Sequence, residues 1–192
     1  MPRHADAELE GHILDAAYRL LSKGGEKALT MRAVARAAET TTPTVYERFR
    51  DKDDILQSLR ARAQRNLFMA IKPARSLAEL CKRYFDFALK HPNEYDLLHA
   101  DWAHRYARSE SLLSFDLLKT RLAARLGGSP HEHVRLALAL AALVHGASMI
   151  LLTKGIEDAV VHVIREATRG AFEALVEDAA SHRLKGNRAG TH

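Results

Sequence analysis

Residues 30–56, TMRAVARAAETTTPTVYERFRDKDDIL, constrain this chain more than any other stretch. They read as two short helices joined by a tight turn, then the start of a third. Thr30 is placed as N-cap of the first helix, with Met31, Val34, Ala35 and Ala38 facing inward. Ala35 is small where a second helix must come close. Glu39 and Thr40 form the turn. Thr41 caps the next helix, and Pro43 lies in its first turn, where a missing N–H costs nothing. Val45 and Phe49, four residues apart, make that helix's buried side. Thr41, Thr42, Thr44, Tyr46 and Arg48 then form a polar surface over an apolar underside, a pattern that suits insertion into a DNA major groove.

The remaining sequence is helical in period. Only 5 Pro and 10 Gly interrupt 192 residues, and no segment alternates polar and apolar residues with β-branched enrichment. The fold class is therefore all-α, with about nine helices. A helix from about Ala7 to Lys23 precedes the motif, with Leu9, Ile13, Ala16, Ala17, Leu20 and Leu21 on one face. Gly24 and Gly25 end it. After the motif a helix starts near Asp51, with Asp53 and Asp54 favouring its dipole, and runs to about Ile71. Pro73 marks a break. This predicts a DNA-binding unit over residues 1–52, a connecting helix over about 51–71 and a body over 73–192. Body helices are expected over about 76–90, 94–106, 109–126, 130–153 and 158–182. In the last of these Val160, Ile164, Ala167, Ala171 and Leu175 are placed inward. The polar tail from Lys185 is expected to fray.

Hydrophobic residues make up 47% of the chain, enough to bury a core. The net charge of +5 permits a polyanionic partner without requiring one. It is spread evenly: 13 basic against 10 acidic residues over positions 1–72, and 16 against 14 over the remainder. Cys81, the one cysteine, fits a reducing compartment. No basic-then-apolar stretch opens the chain, so no secretory signal is expected. Leu136 to Leu152 is apolar over 17 residues but contains His145, Gly146 and Ser148 and abuts Arg135. Its length and polarity favour a buried helix over a membrane span.

Residues 8–60 resemble the N-terminal domain of the TetR (tetracycline-repressor) family of bacterial transcription regulators. The matching residues are Thr30, Val34, Ala35, Ala38, Thr41, Thr44, Val45, Tyr46, Phe49, Lys52, Ile55 and Leu56. The Tyr-x-x-Phe-x-x-Lys run, with two apolar residues after it, carries most of the specificity. Two positions depart from the family pattern. Glu39 stands where members usually have Gly, which predicts a different or strained backbone angle, and Thr40 stands where they usually have an apolar residue. The resemblance implies that Tyr46, Arg48 and Lys52 contact phosphate. Thr41, Thr42, Pro43 and Thr44 enter the groove, where threonine can bond several base edges and touch a thymine methyl. Thr30, Arg32 and Arg36 can add phosphate contacts, and the arm around Arg3 can reach the backbone or a minor groove. A bacterial cytoplasmic, nucleoid-associated location follows from the same resemblance.

The body resembles the family in architecture only. The resemblance implies a two-fold homodimer through the last two helices, and hence a palindromic double-stranded operator. The expected interface residues are Leu136, Leu140, Leu143, Val144, Ala147 and Leu151, with Ala171 and Leu175. Gly146, Ala147 and Ser148 would let the helices approach closely. A small-molecule effector, largely apolar, is expected among Tyr84, Phe85, Leu98, His99, Trp102, Tyr106, Phe115 and His145. Cofactor and metal are not expected. His131 and His133 point to different sides of a helix, and His99 and His104 are five apart. No nucleophile–base pattern marks a catalytic residue. The function implied is a ligand-released repressor. Two rival readings stay open: a structural or adaptor dimer without regulated DNA binding, and an all-α small-molecule-binding protein or enzyme.

Overall fold

The computed structural model describes residues 3–153 and 155–189, with side chains described over 8–153 and 155–182. The side chain of Arg3, and those from Arg183 onward, the polar tail from Lys185 included, therefore lie outside the described ones. The described residues form ten α-helices and one 3-10 turn, with no strand. In order these are α1 (Arg3–Ala28), α2 (Met31–Ala37), α3 (Thr42–Tyr46), α4 (Lys52–Ile71) and α5 (Leu77–Lys90). They continue with α6 (Pro92–His99), α7 (Trp102–Ala107), α8 (Leu113–Leu126), a 3-10 turn (Pro130–His133), α9 (Val134–Leu151) and α10 (Asp158–Ala189). The chain divides into two compact units, Met1–Ala63 and Gln64–His192. The division falls inside α4 and not at Pro73.

In the first unit, α1 leaves helical geometry at Gly25 (φ 64°, ψ −166°), so the glycine pair makes a kink before one more turn to Ala28. A Cβ on Gly24 would meet that of Ala28 at 2.6 Å. The expected core residues Ile13, Ala16, Ala17, Val34, Ala35, Val45, Phe49, Ile55, Leu56 and Leu59 are buried together. Asp51 caps α4: its Oδ1 accepts the Asp54 N–H (2.8 Å), while Asp54 Oδ2 accepts the Arg50 N–H (3.1 Å). Arg62 pairs with Asp15 at 2.6 Å and lies over the Tyr18 ring.

Glu39 resolves the question its sequence position raised. The Thr40 N–H donates to Ala35 O (2.9 Å), the long bond of a glycine-type helix stop. Glu39 takes the left-handed φ of 52° that this stop demands. The backbone of the turn is kept, and the side chain bears the strain. Left-handed backbone costs an ordinary residue roughly 1–2 kcal/mol, and glycine returns roughly 0.5–1 kcal/mol of that through its freer unfolded chain. Glu39→Gly is therefore expected to stabilise the first unit by about 0.5–1 kcal/mol, and Glu39→Val to destabilise it by at least as much. Urea unfolding of both variants checks this; a destabilising Glu39→Gly would contradict it.

In the second unit, α9 packs against α5, α8 and α10. Pro130–Leu151 is long and apolar enough to cross a membrane, yet α9 sends Ala137, Leu140, Val144, Ala147, Ser148 and Leu151 into this unit's own core. Three expectations are corrected. The segment 94–106 is two helices, because Asp101 leaves helical geometry (φ −130°) and turns its carboxylate to His104 and Arg108. Short acidic side chains favour such positions over helix interiors. In α10 the buried stripe is Thr168, Phe172 and Val176, whereas Val160, Ala167, Ala171 and Leu175 are exposed. The helix also continues past His182 to Ala189.

Candidate functional site

Helix α3 is short and tightly capped. Thr41 Oγ1 accepts the Thr44 N–H (3.3 Å) and lies 2.8 Å from Thr44 Oγ1, so both hydroxyls are engaged with each other. Thr30 caps α2 in the same way, accepting the Ala33 N–H at 3.1 Å. Val45 and Phe49 anchor α3 from below. Tyr46 projects outward, 54% exposed, although burial would be its natural preference. Thr41, Pro43, Arg32 and Arg36 are exposed beside it, with Thr42 and Thr44 half-buried. Arg48 is drawn back: its side chain is 19% exposed and it pairs with Glu47 at 3.4 Å. Lys52 reaches Glu26 at 3.7 Å. The structure thus gathers Arg32, Arg36, Thr41, Thr42, Pro43, Thr44, Tyr46 and Lys52 on one short capped head and sets Arg48 partly behind it. The threonine hydroxyls at 41 and 44 act first as structure; the remaining outward chemistry is methyl, ring and cation.

The second unit holds a cavity of about 480 Å³, within the size range of small-molecule sites. Six expected residues line it: Tyr84, Leu98, His99, Trp102, Phe115 and His145. Two do not. Phe85 is buried beneath the Arg165 guanidinium, which lies 5.9 Å from its ring centre, and Tyr106 stacks on the far partner of the wall, Trp102 (5.4 Å). Gln64, Arg105, Ser114 and Phe172 also line the cavity and were not anticipated. Arg105 had one local signal, its place between Trp102 and Tyr106 in an aromatic stretch. Gln64 had none, because its partners Arg105 and Ser111 are 41 and 47 residues away.

One wall is a stack of linked rings. Tyr84 Oη lies 2.8 Å from His99 Nε2, and Tyr95 Oη lies 2.7 Å from His145 Nδ1. The His99 and His145 rings stack at 4.2 Å. Burial, with a smaller contribution from His145, pushes His99 from 6.5 down to about 3, and burial lowers His145 also. Burial holds Tyr84 well above its ordinary value. Both imidazoles are therefore neutral at neutral pH. Cys81, in the same lining, is pushed by burial to about 12, so its thiol is inert.

A pH dependence follows. In the unfolded chain His99 protonates near 6.5 and in the folded chain only near 3. Between those values the unfolded state binds more protons. Stability is full above about pH 6.5 and falls as the pH drops below it, by up to about 1.4 kcal/mol per pH unit for one such site. Replacing His99 by Gln is expected to flatten that slope, as urea unfolding between about pH 7.5 and 4.5 would register. An unchanged slope would place the histidine in contact with water.

The face expected to meet a second copy divides. Leu140, Val144, Ala147 and Leu151 are buried within this chain, and Leu140 and Val144 line the cavity. They are not free for a partner. Leu136 and Leu143 are half-buried, and Ala171 and Leu175 are exposed. The apolar surface left open is Ala139, Gly146, Met149 and Ile150 on α9, with Val160, Val163, Ala167, Gly170, Ala171 and Ala174 on α10. A Cβ built on Gly146 or Gly170 meets nothing within 4 Å, so nothing in the chain's own packing requires glycine there. Because α9 is apolar all round, its sequence gave no indication of which side the core would take.

Two family models match the chain. The one described as "Bacterial regulatory proteins, tetR family" covers residues 13–59. The one described as "Tetracyclin repressor-like, C-terminal domain" covers residues 77–179. The HTH-type transcriptional repressor KstR of Rhodococcus jostii (strain RHA1) is 44% identical over 59 residues, 31% of this chain and 28% of KstR's length. The match to that curated relative thus spans less than a third of either protein. A TetR-like transcriptional regulator from Rhodococcus sp. RHA1 shares the fold, with TM-score 0.60, 20% identity, and coverage of 90% of this chain and 96% of that one. So does the multidrug binding protein EbrR, solved in complex with proflavin, with TM-score 0.55, 20% identity, and coverage of 87% and 99%.

Proposed function

The chain belongs to the TetR family of bacterial transcription regulators, and from that premise we propose that it is a repressor that binds a palindromic operator as a homodimer and is released by a small molecule in its cavity. The observation that carries this reading is the outward presentation of Tyr46, Pro43 and the Thr41–Thr44 pair on a capped helix whose other face is buried by Val45 and Phe49. The Thr42 hydroxyl reaches base edges and the Thr41 and Thr44 methyls meet the groove floor, while Tyr46, Lys52, Arg32 and Arg36, with Thr30 and the N–H groups it leaves at the start of α2, meet phosphates. Arg48 joins them once Glu47 yields it. Its place of work is the bacterial cytoplasm, on the nucleoid.

Repression is supported by the relative KstR, named as a repressor. Ligand response is supported by the 480 Å³ apolar cavity and by EbrR, whose structure holds proflavin. A dimer is supported by the open face of α9 and α10, whose small residues allow close helix approach. Release requires only that the ligand bind better to the conformation whose two α3 helices no longer fit successive major grooves. Residues of α4 belong to both ends of that coupling: Ile55 and Leu59 to the core around α3, Leu67 and Ile71 to the cavity wall.

The test is a mobility shift with DNA from the chain's own promoter region, at low salt, with and without cell extract. Sequence-selective retention is expected, and its absence under both conditions overturns the reading. The turn that Glu39 and Thr40 form keeps its helix-stop bond to Ala35 O, which supports the DNA-binding reading over the adaptor-dimer alternative.

A further inference from the structure

Among the described residues Arg105 is the one charged side chain that lines the cavity, and no Asp or Glu among them does. It is 13% exposed. Its Nε donates to Glu110 Oε2 (2.9 Å) and its Nη2 to Gln64 Oε1 (2.9 Å). A guanidinium has five N–H donors, so both on Nη1 and one on Nη2 are left without an acceptor among the described residues. The group is also fixed in place. Gln64 is held by donating its Nε2 to Ser111 O (2.9 Å). Glu110 is shared with Arg108 (2.8 Å), which Asp101 holds in turn (3.3 Å). The surrounding wall is apolar: Leu67, Leu80, Trp102, Phe115 and Phe172.

A half-buried fork of donors at the edge of an apolar hollow matches one chemistry. A planar carboxylate takes two parallel N–H bonds from such a fork, and a guanidinium is better suited to this than an ammonium. Glu110 already neutralises part of the charge, which favours a monoanion over a phosphate dianion. The missing acidic lining disfavours an amine, which would find a cation and no counter-charge. The neutral His99–His145 stack adds flat ring surface without adding charge. We infer that the effector is an organic monocarboxylate with a bulky apolar body, its carboxylate bound by Arg105 and its body lying against Trp102, Phe115 and Phe172. This rests on the reading of the cavity as the effector site.

Trp102 is the chain's one tryptophan and lines the cavity, so its fluorescence reports occupancy. The full chain is titrated with dodecanoate, dodecanamide and dodecylamine, and with 2-naphthoate and 2-naphthamide. Acids are expected to bind about tenfold more tightly than their amides, in keeping with the stronger charge-assisted bond, and the amine more weakly than either. Arg105→Gln is expected to erase the preference for acid while leaving amide binding in place, and Arg105→Lys to keep part of it. The comparison within the wild-type chain needs no variant to fold. Amides binding as tightly as acids, or an acid preference that survives Arg105→Gln in a folded variant, overturns the carboxylate assignment and leaves the effector site standing. No response from any probe overturns both.

Discussion

Val163→Glu is expected to yield a folded monomer whose operator affinity falls by roughly two to four orders of magnitude. Val163 is 64% exposed on α10, in line with Ala167, Gly170 and Ala174 at helical spacing. In an isolated chain the substitution swaps a β-branched residue for a better helix former at a wet position, so the melting temperature changes little. In a two-fold pair it sets two like charges into an apolar contact, and a buried unpaired charge costs several kcal/mol. Loss of the pair separates two α3 helices that otherwise bind as one unit. Linked sites gain about 10²–10⁴ in apparent affinity, and that gain disappears with the link. Gly146→Ala serves as the control. It removes a helical glycine, worth about 1 kcal/mol where the surface is free, and meets no atom of its own chain. If Gly146→Ala lowers dimer affinity while Val163→Glu abolishes it, the open α9–α10 face is the interface. Sedimentation and operator titration measure both. A Val163→Glu protein that remains a dimer refutes the assignment.

The second large effect is Phe49→Ala, expected to abolish operator binding and leave ligand binding unchanged. Phe49 is 3% exposed and, with Val45, is the apolar base that holds α3. Truncating a buried Phe to Ala costs about 3–5 kcal/mol. A compact unit of this size has roughly 3–9 kcal/mol in total, so the loss removes about a third of its stability at the least and all of it at the most. The second unit has its own core, built on α5, α8, α9 and α10, and should keep its fold. Phe49→Leu conserves most of the volume and should cost about 1–1.5 kcal/mol, with DNA binding kept. Thermal unfolding by circular dichroism, Trp102 fluorescence with ligand and the mobility shift separate the outcomes. A Phe49→Ala protein that still binds operator would mean that α3 is held by something other than its apolar underside. Equal loss of the ligand response would mean that the two units do not fold independently.

The head was readable because each of its signals is local. Thr41 as cap, Pro43 in the first turn and Val45 with Phe49 one turn apart all lie within nine residues, and the structure has each in the role assigned. Even the departure at Glu39 was legible as a backbone demand, since only the left-handed conformation closes that helix stop. The same locality set a limit: Thr41 and Thr44, placed at the bases by sequence, spend their hydroxyls on each other. The break inside 94–106 was missed because one Asp in an otherwise helical run is a weak stop until its carboxylate finds His104 and Arg108.

The body was different in kind. Periodicity identified α9 and α10 as helices, but an all-round apolar helix carries no mark of which side will meet its own chain. Tertiary packing assigned Leu140 and Val144 to the core and Gly146 and Ile150 to the open face. It also turned Phe85 away from the cavity and brought Gln64 and Arg105 together across 41 residues. Amino-acid order alone settled the all-α class, the capped reading helix and its underside, because caps, turns and one-turn apolar pairs are contacts between near neighbours. The open apolar face of α9 and α10 and the charged lining of the cavity were decided only by the fold, because they depend on which of several equally apolar surfaces is covered first.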